Sequence, residues 1–261
     1  MTIVLPARAK LNLDLAVLGR RDDGYHDVRT TLQAIDLHDL VSLTPADRTT
    51  LIISGLPVKN TQGNSILKAH AALEQASKKK LPTEIHLHKR IPPGAGMGGA
   101  SSDAATALRG LAALHHVKAD LHAIASQIGA DVPFFLTGGA AIGEQRGDHL
   151  TPIPTQHQWF AIAWSGVELL TQDVYRAWDE VHHSTTFDSP NHLTHAAMSI
   201  QPPLKEFANA LNSHGPTWQM TGSGSAFFCH CTDEPSARSI TAKLKCWTAV
   251  AQAVGPWAEQ E

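Results

Sequence analysis

A mixed chain of helices and strands in two parts is what this sequence predicts, on three observations. Arg8 to Val17 and Glu84 to Ile91 alternate apolar and polar residues as strands do. The stretch after Asn64 and the stretch from Ala104 onward place apolar residues at helical spacing. Leu150-Thr151-Pro152-Ile153-Pro154 carries proline without a regular pattern, which marks a linker between residues 1–149 and 150–261. A chain of 261 residues can bury one large core or two smaller ones.

Taken in order, the first strand sends Leu11, Leu13, Leu15 and Val17 to one face and Lys10, Asn12 and Asp14 to the other. A solvated strand face is the ordinary reading of such a row, but a solvated face needs no lysine, amide and carboxylate in file, so Lys10 and Asn12 are also candidate site residues. Gly19 to Gly24 is a polar turn leading into Tyr25-His26, which alone would suit the end of a hairpin. Val28 to Leu43 reads as further strand. A helix follows from Gly63-Asn64 to about Lys78, with Ile66, Leu67, Ala69 and Leu73 inward and Asn64 as a good N-cap.

The stretch Pro92-Pro93-Gly94-Ala95-Gly96-Met97-Gly98-Gly99-Ala100-Ser101-Ser102-Asp103 joins the Glu84–Ile91 strand to a helix running from Ser102 to about His115. Side chains are nearly absent from Gly94 to Ala100, so backbone amides can approach a ligand closely. The helix start adds unpaired N–H groups and the positive end of its dipole. Such a loop suits a phosphate. Ser101 and Ser102 can cap the helix, and Asp103 complements its dipole.

A second helix, Leu121 to Ile128, ends at Gly129. Asp131 then reads as an N-cap before Val132-Pro133. Thr137 to Ala140 turns into a short strand. The second half shows a strand at Phe160 to Ala163, a helix from Thr171 to about Val181 carrying Tyr175, a polar loop, and a helix near Leu204 to Leu211. Last comes Met220-Thr221-Gly222-Ser223-Gly224-Ser225, ahead of an apolar strand.

Composition narrows the function classes. Hydrophobic content of 43% and charged content of 17% are those of a globular chain, and a net charge of -3 gives no basic surface for nucleic acid or anionic membrane. No apolar run reaches transmembrane length and Met1 to Pro6 lacks a signal-peptide plan, so a cytoplasmic protein is expected. Cys229 and Cys231 alternate on a strand and read, with Cys246, as thiols in a reducing compartment. The pairs His86/His88, His115/His116 and His182/His183 lack a cysteine or carboxylate cluster at ligand spacing, so no structural metal is expected.

Three familiar nucleotide loops do not fit. Gly94, Gly96 and Gly99 satisfy G-x-G-x-x-G, but Asp120 lies between helices rather than at the end of a second strand. No lysine follows the glycines as in a Walker loop, and His-Arg-Asp and Asp-Phe-Gly are missing. The loop resembles instead the central motif of the GHMP kinases: a proline, a glycine-alanine run, then Ser-Ser and a helix. Ala9-Lys10-Leu11-Asn12-Leu13, Gly19-Arg20-Arg21-Asp22-Asp23-Gly24-Tyr25-His26 and Gly129-Ala130-Asp131-Val132-Pro133-Phe134-Phe135 resemble one branch of that family, which acts on 4-diphosphocytidyl-2-C-methyl-D-erythritol. The resemblance spans nearly the whole chain and is weakest from Trp178 to Thr217.

The resemblance implies the α+β, two-domain GHMP kinase fold with the active site in the interdomain cleft, residues 1–149 forming the ATP-binding domain and 150–261 the C-terminal domain. It implies ATP and Mg2+ as cofactors and transfer of a phosphoryl group to the substrate's 2-hydroxyl, with Asp131 as base and Lys10 orienting the alcohol. The residues from Pro92 to Asp103 would wrap the phosphates, and Asn64 and Lys89 would line the adenine pocket. Asp103 stands where the family often has asparagine. Asn12, Tyr25, His26, Thr171, Tyr175, Gly222, Ser223 and Gly224 would bind substrate, the aromatic rings stacking on cytosine and the imidazole bonding its edge. The expected partner is this small molecule alone, with no nucleic acid and no membrane, for a monomer or weak homodimer. Two alternatives stand beside this one. A mevalonate or homoserine kinase would share the loop without needing Tyr25-His26 or Tyr175; a non-catalytic nucleotide-binding module would not need both Lys10 and Asp131.

Overall fold

The structure, a computed structural model, describes residues 1–58, 63–181, 189–213 and 215–257. Strand β3 (His26–Pro45) is the spine of a seven-stranded sheet. On one side it pairs antiparallel with β1 (Ile3–Asn12) and β2 (Ala16–Arg20). On the other it pairs with β5 (Thr83–Lys89), beyond which β4 (Thr50–Gly55) runs parallel to β5. Further along that side come β6 (Ala140–Glu144) and then β7 (His149–Ile153). A second sheet holds β8 (Trp159–Trp164), β9 (Gln219–Met220), β10 (Phe227–Cys231) and β11 (Trp247–Gln252) in the order β11-β8-β10-β9.

The sheets pack face to face and each carries helices on its outer side. Helices α1 (Ser65–Ser77), α2 (Gly99–Leu114), α3 (Leu121–Ile128) and α4 (Val132–Thr137) close a core of Leu43, Ile66, Ile85, Leu108 and Phe134 over the larger sheet. Helices α5 (Thr171–Val181), α6 (Leu193–Ile200), α7 (Pro202–Asn212) and α8 (Glu234–Thr241) do the same over the smaller one, around Val174, Leu193, Leu204 and Phe227. A third core of Leu11, Ile35, Met97, Phe160, Ile162 and Phe228 fills the space between the sheets. Strand β8 shows why its sequence is apolar throughout: Phe160 and Ile162 enter the core between the sheets, while Ala161 and Ala163 enter the outer one.

The alternating stretch from Arg8 to Val17 is broken by a bend at Leu13–Asp14, separating β1 from β2. The linker expected at 150–154 is largely strand β7, which pairs with β6 from His149 to Ile153. Pro152 is tolerated there because β7 ends the sheet, so its missing N–H interrupts no ladder on the outer side. Helix α2 starts at Gly99 rather than Ser102. Gly98 is its N-cap in a left-handed conformation, and neither serine caps it. Cys229 and Cys231 share a buried face as expected; burial first, and Cys231 next, push the Cys229 thiol up to about 12. His182, His183 and most of the polar loop lie outside the described residues. Among the described residues no helix is long and apolar enough to cross a membrane.

The chain returns to the first sheet at residues 253–257. Val254 N donates to Ala34 O at 3.0 Å, Gln33 Nε2 to Val254 O at 3.2 Å, and Trp257 Nε1 to Phe135 O at 2.9 Å. The guanidinium groups of Arg8 and Arg109 lie 4.1 and 4.4 Å from the centroid of the Trp257 ring.

Candidate active site

The four layers leave one large cleft, about 1400 Å³, along which both sheets contribute residues. Its floor is the end of β1. Lys10 is buried, and its ammonium donates to Gly96 O at 2.7 Å and to Asn12 Oδ1. Asn12 Nδ2 donates to Thr30 Oγ1 at 2.7 Å, so both ends of that amide are held by protein. Lys10 and Asn12 thus form a buried polar strip on the strand face opposite Leu11, in the phase the alternation requires.

The glycine loop crosses above this strip. Gly96 has φ +77°, and a Cβ there would stand 2.3 Å from Thr221 O. Across the gap, a Cβ on Gly222 (φ +56°) would stand 2.7 Å from Gly96 O and 2.9 Å from Lys10 Nζ. The two glycine segments therefore interlock backbone to backbone, which side chains would forbid. Asn191 fixes the second segment, its Nδ2 donating to Met220 O and Gly222 O, both at 2.8 Å. Ser223 Oγ and Thr171 Oγ1 lie 3.0 Å apart and tie the segment to the start of α5.

Asp131 occupies the N-cap position of α4, but its side chain makes no capping bond, so the carboxylate remains available to the cleft it lines. Burial lowers the Lys10 pKa, and the negative charge of Asp131 opposes that shift. Burial and then Asp131 raise the Tyr175 phenol, which stays protonated. The Asp131 carboxylate therefore acts electrostatically on both a buried ammonium and a neutral phenol in the same cleft.

At the other end, Asn64 caps α1 by accepting from Ile66 N at 2.9 Å. Lys89 donates to Asp103 Oδ2 at 2.7 Å and to Asp39 Oδ2. Asp39 is fully met, its Oδ1 accepting from Arg90 N and Ile91 N at 2.5 and 2.8 Å. Among the described residues Asp103 Oδ1 is buried without a partner. Burial acts to lower the Lys89 pKa, but Asp103 and Asp39 outweigh it and the net shift is upward. Burial pushes Asp103 up to about 7, with Lys89 pulling it down and Asp39 pushing it further up. An acid whose folded pKa exceeds its unfolded one loses stability as pH rises between the two, because the folded state still holds a proton the unfolded chain has released. Asp103→Asn keeps the shape and cannot ionise. It should raise Tm by roughly 2–6 °C at about pH 8, the gain shrinking as pH falls from about 7 towards about 4. Differential scanning calorimetry across that range checks this, and a gain independent of pH would refute it.

The aromatic end is formed by Tyr25, His26 and Tyr175. Tyr25 is 56% exposed, with the Arg146 guanidinium 5.2 Å from its ring centroid. His26 is buried and stacks on Tyr175 with centroids 4.9 Å apart. Of the site residues singled out from the sequence, all line the cleft except Ser102, whose hydroxyl is buried in α2 with no partner among the described residues. Sequence reasoning missed Thr30, Asp39, Arg146, Asp179, Asn191 and Thr221. Asp39 left a signal: it sits in the apolar phase of Ile35, Leu37, Val41 and Leu43, where a carboxylate must have a partner.

The model of the GHMP kinases N terminal domain matches residues 64–139, a span holding the glycine loop and Asp131. A 4-diphosphocytidyl-2-C-methyl-D-erythritol kinase of Chromohalobacter salexigens is 33% identical over 92% of this chain and 86% of its own length. A crystal structure of 4-(cytidine 5'-diphospho)-2C-methyl-D-erythritol kinase is similar with a TM-score of 0.82 and 32% identity, covering 97% of this chain and 100% of that one. Homoserine kinase from Cytophaga hutchinsonii shares the fold at a TM-score of 0.68 and 18% identity, over 98% of this chain and 95% of its own. The chain belongs to the 4-diphosphocytidyl-2-C-methyl-D-erythritol kinases, within the GHMP kinase family.

Proposed function

We infer that this protein transfers the γ-phosphoryl group of ATP to the 2-hydroxyl of 4-diphosphocytidyl-2-C-methyl-D-erythritol, a step of the non-mevalonate isoprenoid pathway. The observation that carries this reading is the uncapped Asp131 carboxylate acting electrostatically on buried Lys10, in a cleft that also holds a phosphate cradle and a cluster of rings.

A tertiary alcohol is a poor nucleophile near neutral pH. Asp131 accepts its proton, and Lys10, pinned by Gly96 O and Asn12, places a fixed positive charge where the oxygen becomes negative. The amides of residues 94–100 and the start of α2 hold the phosphates, with Asn64 and Lys89 on the adenine side. Tyr25, His26 and Tyr175 hold cytosine, and Thr171, Gly222, Ser223 and Gly224 close over the substrate. Positioning and electrostatics supply most of the acceleration in such a transfer.

The fit of Mg2+ follows from the donors present. Among the described residues no group of three or more histidine, cysteine, aspartate or glutamate side chains gathers to hold an ion. The Ser101 hydroxyl and the Asp131 carboxylate, oxygen donors that line the cleft, would hold a nucleotide-bound ion, which would supply charge neutralisation on the phosphates. Residues up to about 149, with strand β7 of the same sheet, then form the nucleotide-binding domain, and the rest of the chain supplies Thr171, Tyr175 and the second glycine segment. The protein works as a cytoplasmic monomer or weak homodimer.

The test is ADP release by the purified protein with MgATP, comparing the diphosphocytidyl alcohol with mevalonate and homoserine. Turnover with the cytidine compound alone is expected. Turnover with another alcohol would keep the kinase and remove the roles given to Tyr25 and His26.

A further inference from the structure

The His26 imidazole is held on three sides by one helix. Tyr175 stacks on it at an interplanar angle of 23°, Trp178 meets it edge-on at 5.4 Å, and Asp179 Oδ1 lies 2.7 Å from its Nε2. These residues stand at positions i, i+3 and i+4 of α5, the spacing that gathers side chains onto one helical face. The other oxygen of Asp179 faces Arg20 Nη1 at 3.5 Å. Among the described residues no protein group bonds His26 Nδ1, and His26 lines the cleft.

We propose that Asp179 is a positioning residue that gives the cleft its choice of nucleobase, by holding His26 with Nε2–H turned to the carboxylate and Nδ1 left as an acceptor for an exocyclic amine. The inference rests on the contact between His26 and the base proposed above. An ionised carboxylate only accepts hydrogen bonds, so the ring nitrogen facing it carries the proton, and in the neutral ring the opposite nitrogen must accept. Cytosine carries an amino group at position 4 where uracil carries a carbonyl oxygen. An accepting Nδ1 bonds the first and meets the second lone pair to lone pair, so a uridine substrate leaves a buried acceptor unpaired. Stacking alone cannot make this distinction, because both pyrimidines offer similar faces to Tyr25 and Tyr175.

The experiment measures kcat/KM at about pH 8, above the ordinary imidazole range, for the cytidine substrate and for its uridine analogue. Wild type, Asp179→Asn and Asp179→Glu are compared. An asparagine amide offers N–H groups as well as an oxygen, so it stabilises either tautomer. The cytidine-over-uridine ratio should fall at least about tenfold in Asp179→Asn, about 1.4 kcal/mol of discrimination, and recover in Asp179→Glu. A merely structural role would slow both substrates alike and leave the ratio unmoved, which overturns the proposal. Nitrogen-15 spectra of the histidine rings in the wild-type protein, with His26→Gln to assign the signal, give a second reading that needs no altered Asp179. A proton on Nε2 is expected, and a proton on Nδ1 overturns the proposal. Wild type that releases no ADP with the cytidine compound would overturn the kinase reading and this inference together. Wild type that turns it over, with a ratio unmoved in Asp179→Asn, would overturn this inference alone.

Discussion

Asp131→Asn should lower kcat by about 10² to 10⁴ while leaving KM for ATP and the melting temperature almost unchanged. Asparagine matches aspartate in shape but does not take the proton of an alcohol in the transition state. Asparagine caps a helix as well as aspartate, so the stability of Asp131→Ala is what separates a catalytic role from a structural one. Replacing a true N-cap by alanine typically costs about 0.5–2 kcal/mol, but the Asp131 side chain makes no capping bond, so little should be lost. The substitution also removes the negative charge that opposes the downward shift of Lys10. Burial then acts unopposed, the ammonium loses its proton at lower pH, and the alkaline limb of the residual activity should move towards neutrality. Steady-state ADP release across pH, with calorimetry on both variants, tests all of this. A kcat close to wild type in Asp131→Asn would remove Asp131 from the chemistry, and a large fall in Tm in Asp131→Ala would make it a structural residue.

Gly96→Ala should damage both stability and nucleotide binding. A methyl group at this position would sit 2.3 Å from Thr221 O and 2.9 Å from Gly224 N and O, none of which is a flexible side chain. The residue also has φ +77°, which costs an L-residue about 1–2 kcal/mol, and forced overpacking adds about 1–3. A fall in Tm of roughly 5–15 °C follows for a chain of this size. The activity loss has a separate origin. Gly96 O anchors Lys10 Nζ at 2.7 Å, so a loop pushed away from residues 221–224 carries off the group that orients the ammonium. KM for ATP should rise and kcat should fall together. Gly19→Ala is the control: nothing lies within 4 Å of the added methyl, and Gly19 is not among the glycines of positive φ. Equal effects at Gly96 and Gly19 would show that the interlock of the two glycine segments is not needed.

What the sequence made legible was chemistry carried by neighbours in the chain. The glycine loop, Lys10 with Asn12, and Asp131 with its proline each announce themselves within a few residues, and the structure brings them to one cleft. Groups that act by reaching across the fold were silent. Asn191 matters because its amide bonds Met220 O and Gly222 O, about thirty positions away, and Asp179 because it meets His26 from the other half of the chain; no local pattern records either pairing. The displaced start of α2 has another cause. Serines are strong N-caps in general, but Gly98 takes the cap position by adopting φ +71°, and Ser101 and Ser102 fall inside the first turn. Helix α8, absent from the expected elements, carries a local signal of its own. Asp233 accepting from Ser236 N, with Pro235 next to Glu234, is a start signal in plain view.

The return of residues 253–257 to the first sheet bears on the order in which the molecule can be made. Ile35 and Phe135 leave the ribosome long before Ala253 and Trp257 exist, yet Ile35 bridges to Ala253 and Phe135 O waits for the Trp257 indole. Phe135 belongs to α4, the short helix whose first turn presents Asp131. The first half of the chain can therefore collapse early around its own core, but the helix that follows Asp131 is fastened only when nearly the whole polypeptide has emerged. A nascent chain halted before Ala253 would hold its glycine loop and lack the clasp on the helix beside Asp131, so with the roles proposed above nucleotide binding should mature before turnover does.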